Sequence, residues 1–139
     1  MSEPLIAKHY MATQLVTFTP EMDIYQAAAI LLENRISGAP VVDEKGRLVG
    51  LLSEQDCLRE ILAKGMFDLP PGKVSDYMST DITIIPPDMS IFKIAELFVQ
   101  LRFRRFPVVD HGKLVGLVSK RNLLLAIKDM RKGSKKGKE

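Results

Sequence analysis

The stretch Gly50-Leu51-Leu52-Ser53-Glu54-Gln55-Asp56 decides how this chain folds. Its apolar run is typical of a buried strand. A serine followed three residues later by an acid is typical of the start of a helix. A second copy, Gly116-Leu117-Val118-Ser119-Lys120-Arg121-Asn122, repeats the pattern but ends in an amide. The sequence therefore predicts the same strand-to-helix turn twice, with one chemical difference between the copies.

The turn belongs to a longer internal repeat. Sliding the chain by 67 residues places Tyr10-Met11 on Tyr77-Met78, and Pro40-Val41-Val42-Asp43 on Pro107-Val108-Val109-Asp110. The next turn is one residue shorter in the second copy, so the offset becomes 66 through the second serine and its helix. Matching over this length indicates a duplicated supersecondary unit. Because one such unit is marginal alone, we expect the two copies to share a core.

Each copy predicts the order strand, helix, strand, strand, helix. The run 15–18 predicts a short strand that Pro20 ends, and 82–85 is its counterpart in the second copy. Asp23 with Gln26 predicts a helix start. Apolar residues at helical spacing predict the faces that the helices bury. These faces are Ile24, Ala27, Ala28, Leu31 and Leu32; Cys57, Leu58, Ile61 and Leu62; Ile91, Ile94, Ala95, Phe98 and Val99; and Leu123, Leu124 and Ile127.

Composition indicates a folded protein without a membrane span. Of the 139 residues, 46% are hydrophobic, which is enough to build a core. The longest purely apolar run, 27–32, is far too short to cross a bilayer. The N-terminus lacks the pattern of a secretory signal, and the single cysteine, Cys57, has no partner for an internal disulfide. We therefore expect a cytoplasmic protein without membrane association.

The net charge of +3 comes from the C-terminus. Residues 128–139 contain six basic and two acidic residues, so the body of the chain is close to neutral. We expect this tail to be solvated and disordered. Association with nucleic acid through the tail and the Arg104–Arg105 region is the alternative. No aromatic residues interleave with these basic ones, which argues against specific recognition of a single strand.

The ordered motifs resemble a known family. Tyr-Met-x-Thr, a strand ending in proline, a helix, Pro-Val-Val-Asp, a glycine turn and Leu-Val-Gly-Leu-x-Ser-x-x-Asp together resemble the CBS motif, and the resemblance covers about residues 5–128. The chain is similar to a stand-alone CBS pair, or Bateman module. The resemblance implies an α/β fold (α+β by some schemes) in which two β-α-β-β-α repeats pack about a pseudo-two-fold axis. The implied parts are 1–67, the first repeat with an N-terminal segment; 68–128, a linker and the second repeat; and 129–139, the tail.

The resemblance also implies a function. Relatives bind adenosyl ligands, namely AMP, ADP, ATP, NAD or S-adenosylmethionine, in clefts between the repeats, and pair as homodimers. We therefore expect a regulatory module that requires no cofactor and signals to a separate, unidentified effector protein by conformational change. A structural dimerisation module with vestigial ligand sites is the alternative. No arrangement of residues typical of a catalytic triad, a phosphate-binding loop or a metal site occurs, so we expect no enzyme.

The first copy carries a candidate ligand site. A helix N-terminus at Ser53 suits a phosphate, and Asp56 can accept hydrogen bonds from two ribose hydroxyls, the role that the resemblance gives it. Gly50 would let a ligand approach the backbone. The same Ser-x-x-Asp pattern is also an ordinary helix cap, so both interpretations remain open. By resemblance, the adenine slot is formed by Val16, Thr17, Phe18, Ser37, Gly38, Ala39 and Pro40.

The second copy departs from the pattern at Asn122. An amide is neutral and clamps ribose hydroxyls less well than a carboxylate does. Basic residues surround it in the sequence, and arginine forks match phosphate oxygens. The second site is therefore either a phosphate grip or a degenerate site with a basic surface. The candidate residues of the second site are Ile84, Arg104, Arg105, Phe106, Pro107, Ser119, Arg121 and Asn122.

Overall fold

The computed structural model describes residues 4–65 and 67–138, with side chains as far as Lys132. The chain forms two compact units. The central unit is Val16–Ile82, and the split unit combines Met1–Leu15 with Thr83–Glu139. The boundaries of the units therefore differ from those of the sequence repeats. The segment before the first copy belongs to the unit that contains the second copy, and the segment before the second copy belongs to the unit that contains the first.

The central unit contains helix α2 (Ile24–Asn34), strands β1 (Gly38–Val42) and β2 (Leu48–Ser53), and helices α3 (Glu54–Lys64) and α4 (Val74–Tyr77). The two strands pair antiparallel, and Gly38 lies opposite Ser53. Asp23 caps the start of helix α2, and its side chain accepts a hydrogen bond from the Tyr25 backbone N–H. The core consists of apolar residues of α2, β1, β2 and α4 together with Phe18: Phe18, Ile24, Ala27, Leu31, Ala39, Val41, Leu52 and Val74.

The split unit repeats this plan. It contains helix α1 (Ala7–Tyr10), helix α5 (Ile91–Gln100), strands β3 (Arg105–Asp110) and β4 (Lys113–Ser119), and helix α6 (Lys120–Lys138). The strands again pair antiparallel, with Arg105 opposite Ser119. Ser90 caps α5 as Asp23 caps α2. Its core contains the packed rings of Phe98 and Phe106, whose centroids are 4.4 Å apart.

The strands predicted at 15–18 and 82–85 are shorter in the structure. Phe18 forms a single parallel bridge with Val41, and Ile85 forms the equivalent bridge with Val108. Prolines follow both segments closely and have no N–H to continue a ladder, so pairing stops after one residue.

The predicted buried faces are partly wrong. Ile24, Ala27, Leu31, Ile91, Ile94, Phe98 and Leu123 are buried as expected, whereas Leu32, Leu58, Ile61, Leu62, Val99, Leu124 and Ile127 are exposed. Helix α3 instead buries Asp56 and Glu60, and α6 buries Ala126. The apolar stripe of each helix is wider than the face its own unit covers, so periodicity alone placed the core about one residue off.

Helix α6 extends to Lys138, where the sequence predicts a disordered tail beyond residue 128. Its first turns pack Leu123 and Ala126 into the core, and the lysines and arginines that follow have high helix propensity. None of the helices in the described part of the chain combines the length and hydropathy needed to cross a bilayer.

Candidate functional site

The turn from β2 into α3 closes a capping box. The Ser53 hydroxyl oxygen accepts the Asp56 backbone N–H at 3.2 Å, while Asp56 Oδ2 accepts the Ser53 backbone N–H at 2.8 Å and its hydroxyl at 3.0 Å. Two donors at the helix start are thereby satisfied by one carboxylate oxygen. Asp56 is therefore a structural cap, and its Oδ2 is already engaged.

The second oxygen of Asp56 faces a cation. Oδ1 lies 3.3 Å from the Arg59 guanidinium, whose side chain is 59% exposed while that of Asp56 is buried. An exposed arginine can turn away into water at little cost, because an ion pair of this kind contributes about 0–1 kcal/mol. Oδ1 is thus the acceptor that a ligand could reach. The sequence interpretation missed Arg59, although its spacing three residues after Asp56 on a helix was the available signal.

Three stretches of the central unit converge on this turn. Gly38 is the register partner of Ser53, and the Ser37 carbonyl accepts the Glu54 backbone N–H at 2.9 Å. The Phe18 backbone N–H donates to the Pro40 carbonyl at 2.9 Å, which attaches 16–18 to the same strand. The structure therefore places Phe18 and the stretch 37–40 near the Ser53–Asp56 turn.

Several of those residues present no side chain to a ligand. Phe18 and Ala39 belong to the core, and Pro40 is fully buried. Thr17 is exposed, and Val16 and Ser37 are partly buried. Recognition at this place would therefore use backbone groups of β1 together with the side chains at the edge of the core.

Gly50 does not provide the space for a ligand that the sequence suggested. A Cβ atom there would lie 2.5 Å from Met78 Sδ and 3.1 Å from the Ser79 carbonyl oxygen. Ser79 also pairs with Leu51 through two backbone hydrogen bonds, of 2.8 and 2.9 Å. The missing side chain of Gly50 is thus needed for close packing of the segment after α4.

The split unit builds the same box with an amide. Asn122 Oδ1 accepts the Ser119 backbone N–H at 2.7 Å and its hydroxyl at 2.9 Å, and the Asn122 backbone N–H donates to the Ser119 hydroxyl oxygen at 3.3 Å. Leu125 occupies the position of Arg59. Asn122 therefore preserves the cap but offers neither a second carboxylate oxygen nor a negative charge.

The other residues predicted for the second site lie in the split unit. Arg105 lies opposite Ser119 in the sheet, which places the start of β3 beside the Asn122 turn. Arg104, Arg121 and Ile84 are exposed, whereas Phe106 and Pro107 are buried. The exposed arginines give this turn the positive surroundings that the sequence suggested.

Other reactive groups add no chemistry to the first site. Burial, with the negative charges of Asp56 and Glu54, raises the pKa of the Cys57 thiol, so the thiolate is disfavoured. In the described part of the chain, no three His, Cys, Asp or Glu side chains are grouped so that they could hold a metal ion.

The family follows from this arrangement and from direct comparison. Two units of one plan, each with a capped strand-to-helix turn, define a tandem α/β module. The family model of the CBS domain matches residues 7–63 and 74–129, so this chain belongs to the CBS domain family and carries the domain twice.

Similar proteins include both sequences and solved structures. The chain is 36% identical over 112 residues to the CBS domain-containing protein YhcV of Bacillus subtilis, covering 81% of this chain and 78% of that protein. CBSX2, an Arabidopsis thaliana protein, was solved in complex with AMP and matches with a TM-score of 0.78 at 27% identity, covering 91% of this chain and 98% of that chain. The CBS domain pair of protein MJ0100, solved with 5′-methylthioadenosine and S-adenosyl-L-methionine, shares the fold at a TM-score of 0.74 and 24% identity, covering 88% and 98%.

Proposed function

We propose that this chain is a regulatory module that binds an adenosine nucleotide, with AMP as the first candidate, at the turn between Gly50 and Asp56. The observation that carries the proposal is the state of Asp56. Its Oδ2 completes the cap, and within the described residues its Oδ1 meets an exposed arginine, so this oxygen remains for a ligand. The AMP complex of CBSX2, at 27% identity, supports the same ligand class.

Each part of the nucleotide has a matching group. Ribose hydroxyls are donors, and Asp56 Oδ1 is an acceptor that they can reach once Arg59 turns aside. Arg59 then lies free to meet a phosphate, for which its planar fork is suited. The adenine edge would bond backbone groups of 37–40, because the side chains there are short or buried.

The module would act by shifting populations between conformations. A ligand does so only by binding one arrangement of the protein more tightly than another, and the effector is then the protein that distinguishes the two. No cofactor is required for this role.

We further propose that two copies of this chain pair through their helices. Exposed apolar residues occupy equivalent positions in both units: Leu32 and Val99, Leu58 and Leu124, Ile61 and Ile127. In the central unit, Leu32 and Leu58 border an open apolar depression of about 180 Å³ between α2 and α3. Repeated apolar positions at solvent are typical of an interface.

Sedimentation of a Leu32→Glu/Val99→Glu variant tests the homodimer. Both side chains are more than three-quarters exposed, so the substitutions should leave the free energy of unfolding of the monomer nearly unchanged, within about 0.5 kcal/mol. The variant should sediment as a monomer at concentrations where the wild type is a dimer. An exposed Glu44→Ala substitution is the control. A wild type that is monomeric throughout would refute the proposal.

Calorimetry with AMP, ADP, ATP, NAD and S-adenosylmethionine tests the ligand. Binding of at least one, with a thermal shift that grows with ligand concentration, is the expected result. Absence of heat and of thermal shift for the whole panel would contradict the proposal. It would favour the structural dimerisation module, for which the complete caps in both units are the supporting observation.

A further inference from the structure

Glu60 is a buried acid for which the proposed ligand chemistry has no use. Its side chain is fully buried on α3, where Oε1 accepts the Gly72 backbone N–H at 3.0 Å. Oε2 has no hydrogen-bond partner within the described residues. Burying a carboxyl group costs free energy unless hydrogen bonds compensate for the lost water, so the contacts of Glu60 bear on its role.

The contact to Gly72 leaves no room for another side chain. A Cβ atom at Gly72 would lie 2.8 Å from the Tyr77 ring and 2.9 Å from Glu60 Oε2. The nearby Glu60 carboxyl group, together with burial, raises the pKa of Tyr77 to about 12. Glu60 therefore joins α3 both to the segment before α4 and to the end of α4.

The split unit shows that the fold itself does not require this acid. At the repeat offsets, Ala126 replaces Glu60 and Leu5 replaces Gly72. Ala126 is buried, and Leu5 packs against the same core cluster. The backbone is nevertheless the same, because the Gly72 carbonyl accepts the Ile24 N–H and the Leu5 carbonyl accepts the Ile91 N–H. An apolar pair thus fills the space in one unit, and a hydrogen-bonded acid fills it in the other.

The hydrogen bond from Gly72 to Glu60 links helix α3 to a segment that also contacts strand β2 beside the candidate site. Glu60 follows Asp56 by one helical turn on α3. From Gly72 the chain runs through α4 to Met78, which fills the space beside Gly50, and to Ser79, which pairs with Leu51. Leu51 lies in β2, two residues before Ser53. The turn at Ser53–Asp56 is therefore held from its helix side and from its strand side by elements that Glu60 connects.

We propose that Glu60 is a positioning residue for this turn. It attaches the segment 72–79 to α3 through its hydrogen bond to Gly72, and this segment sets the position of β2 where it enters the site. The inference rests on the proposed adenosine site for its functional consequence, and on the contacts of Glu60 alone for the attachment itself. The split unit lacks this hydrogen-bonded attachment, since Ala126 has no polar atom in its side chain.

Amide hydrogen exchange of full-length variants without ligand tests the attachment. Glu60→Met keeps the side-chain volume and stays apolar when buried, and its thioether is only a weak hydrogen-bond acceptor. We expect the Gly72, Ser79 and Leu51 amides to exchange about five- to tenfold faster in this variant. Glu60→Gln retains an acceptor and should exchange like the wild type. Glu54→Met, an exposed glutamate on the same helix, is the matched control.

The pattern of exchange separates positioning from general stability. If Glu60 only filled space, Glu60→Met would leave these amides unchanged. If it only raised overall stability, the Phe18 and Val42 amides of the same unit would accelerate equally. Either result overturns the proposal.

Titration with AMP then tests the consequence for binding. Glu60→Met should weaken AMP binding about three- to tenfold, whereas Glu60→Gln should stay within about twofold of the wild type. Equal affinity for Glu60→Met and wild type would overturn the positioning role. A wild type that binds no adenosyl compound would refute the proposed function instead, and the exchange rates would still decide whether Glu60 attaches the segment.

Discussion

The central unit and the split unit share one backbone plan but differ in the residues that bear charge. Asp56 corresponds to Asn122, Arg59 to Leu125, and Glu60 to Ala126. Both units nevertheless close the same capping box, with nearly equal hydrogen-bond lengths. The capping box therefore closes with either a carboxylate or an amide, so the box alone does not explain why residue 56 is an acid. Asp56, Arg59 and Glu60 of α3 have no charged counterparts at the equivalent positions of α6, so they are the candidates for function.

The largest predicted effect comes from moving the buried acid between units. Ala126→Glu places a carboxylate against an apolar cluster in which the Leu5 side chain stands where Gly72 has none in the central unit. We expect a loss of about 3–5 kcal/mol in the free energy of unfolding, because the buried charge is uncompensated. Chemical denaturation measures this, with Leu125→Glu on the same helix as the exposed control.

Adding Leu5→Gly to Ala126→Glu sharpens the comparison. The double variant recreates the pair of the central unit, so it should recover part of the lost free energy. If the double variant were no more stable than Ala126→Glu alone, the two positions would not be equivalent to Glu60 and Gly72.

A smaller effect is expected at Gly50. Gly50→Ala places a methyl group against Met78 and the Ser79 carbonyl, which should cost about 1–3 kcal/mol of stability through overpacking. Met78→Ala in the same protein should reduce this penalty, because it removes the nearest atom. A Gly50→Ala protein as stable as the wild type would show that the segment after α4 does not pack as described.

The smallest predicted effect is a shift in the pH at which the Tyr77 phenol loses its proton. Its pKa is raised from 10.0 to about 12, so the folded state favours the neutral phenol. The corresponding stabilisation is complete below pH 10 and is lost as the pH rises through 12. Ultraviolet titration of tyrosinate should show one component near pH 12 that is absent in Tyr77→Phe. In Glu60→Gln this component should move toward 10. A single transition near 10 for every tyrosine of the wild type would contradict the contact.

The sequence predicted the repeat, the order of most elements and the turn, because these follow from local pattern. Serine with a polar residue three positions later specifies the cap in each copy, and a fixed offset reveals duplication without any knowledge of packing. The family assignment is confirmed over both repeats.

The contacts that distinguish the units lay outside such patterns. Burial of Glu60 depends on Gly72, which is twelve residues away, and on α4, so no window along α3 could reveal it. Apolar spacing instead favoured the face with Leu58 and Leu62, which is exposed. The sequence shows that Gly50 has no side chain, but it does not show that Met78 and Ser79 fill the space, so the predicted ligand space is wrong.

AMP titration of Asp56→Asn beside the wild type tests the central claim most directly. The substitution converts the central turn into the form observed at Asn122, so the cap persists while the charge and the second carboxylate oxygen are lost. We expect AMP binding to weaken by about 1–3 kcal/mol with little change in thermal stability. Equal affinity of Asp56→Asn and wild type for AMP would contradict the assignment of Asp56 as the ribose acceptor.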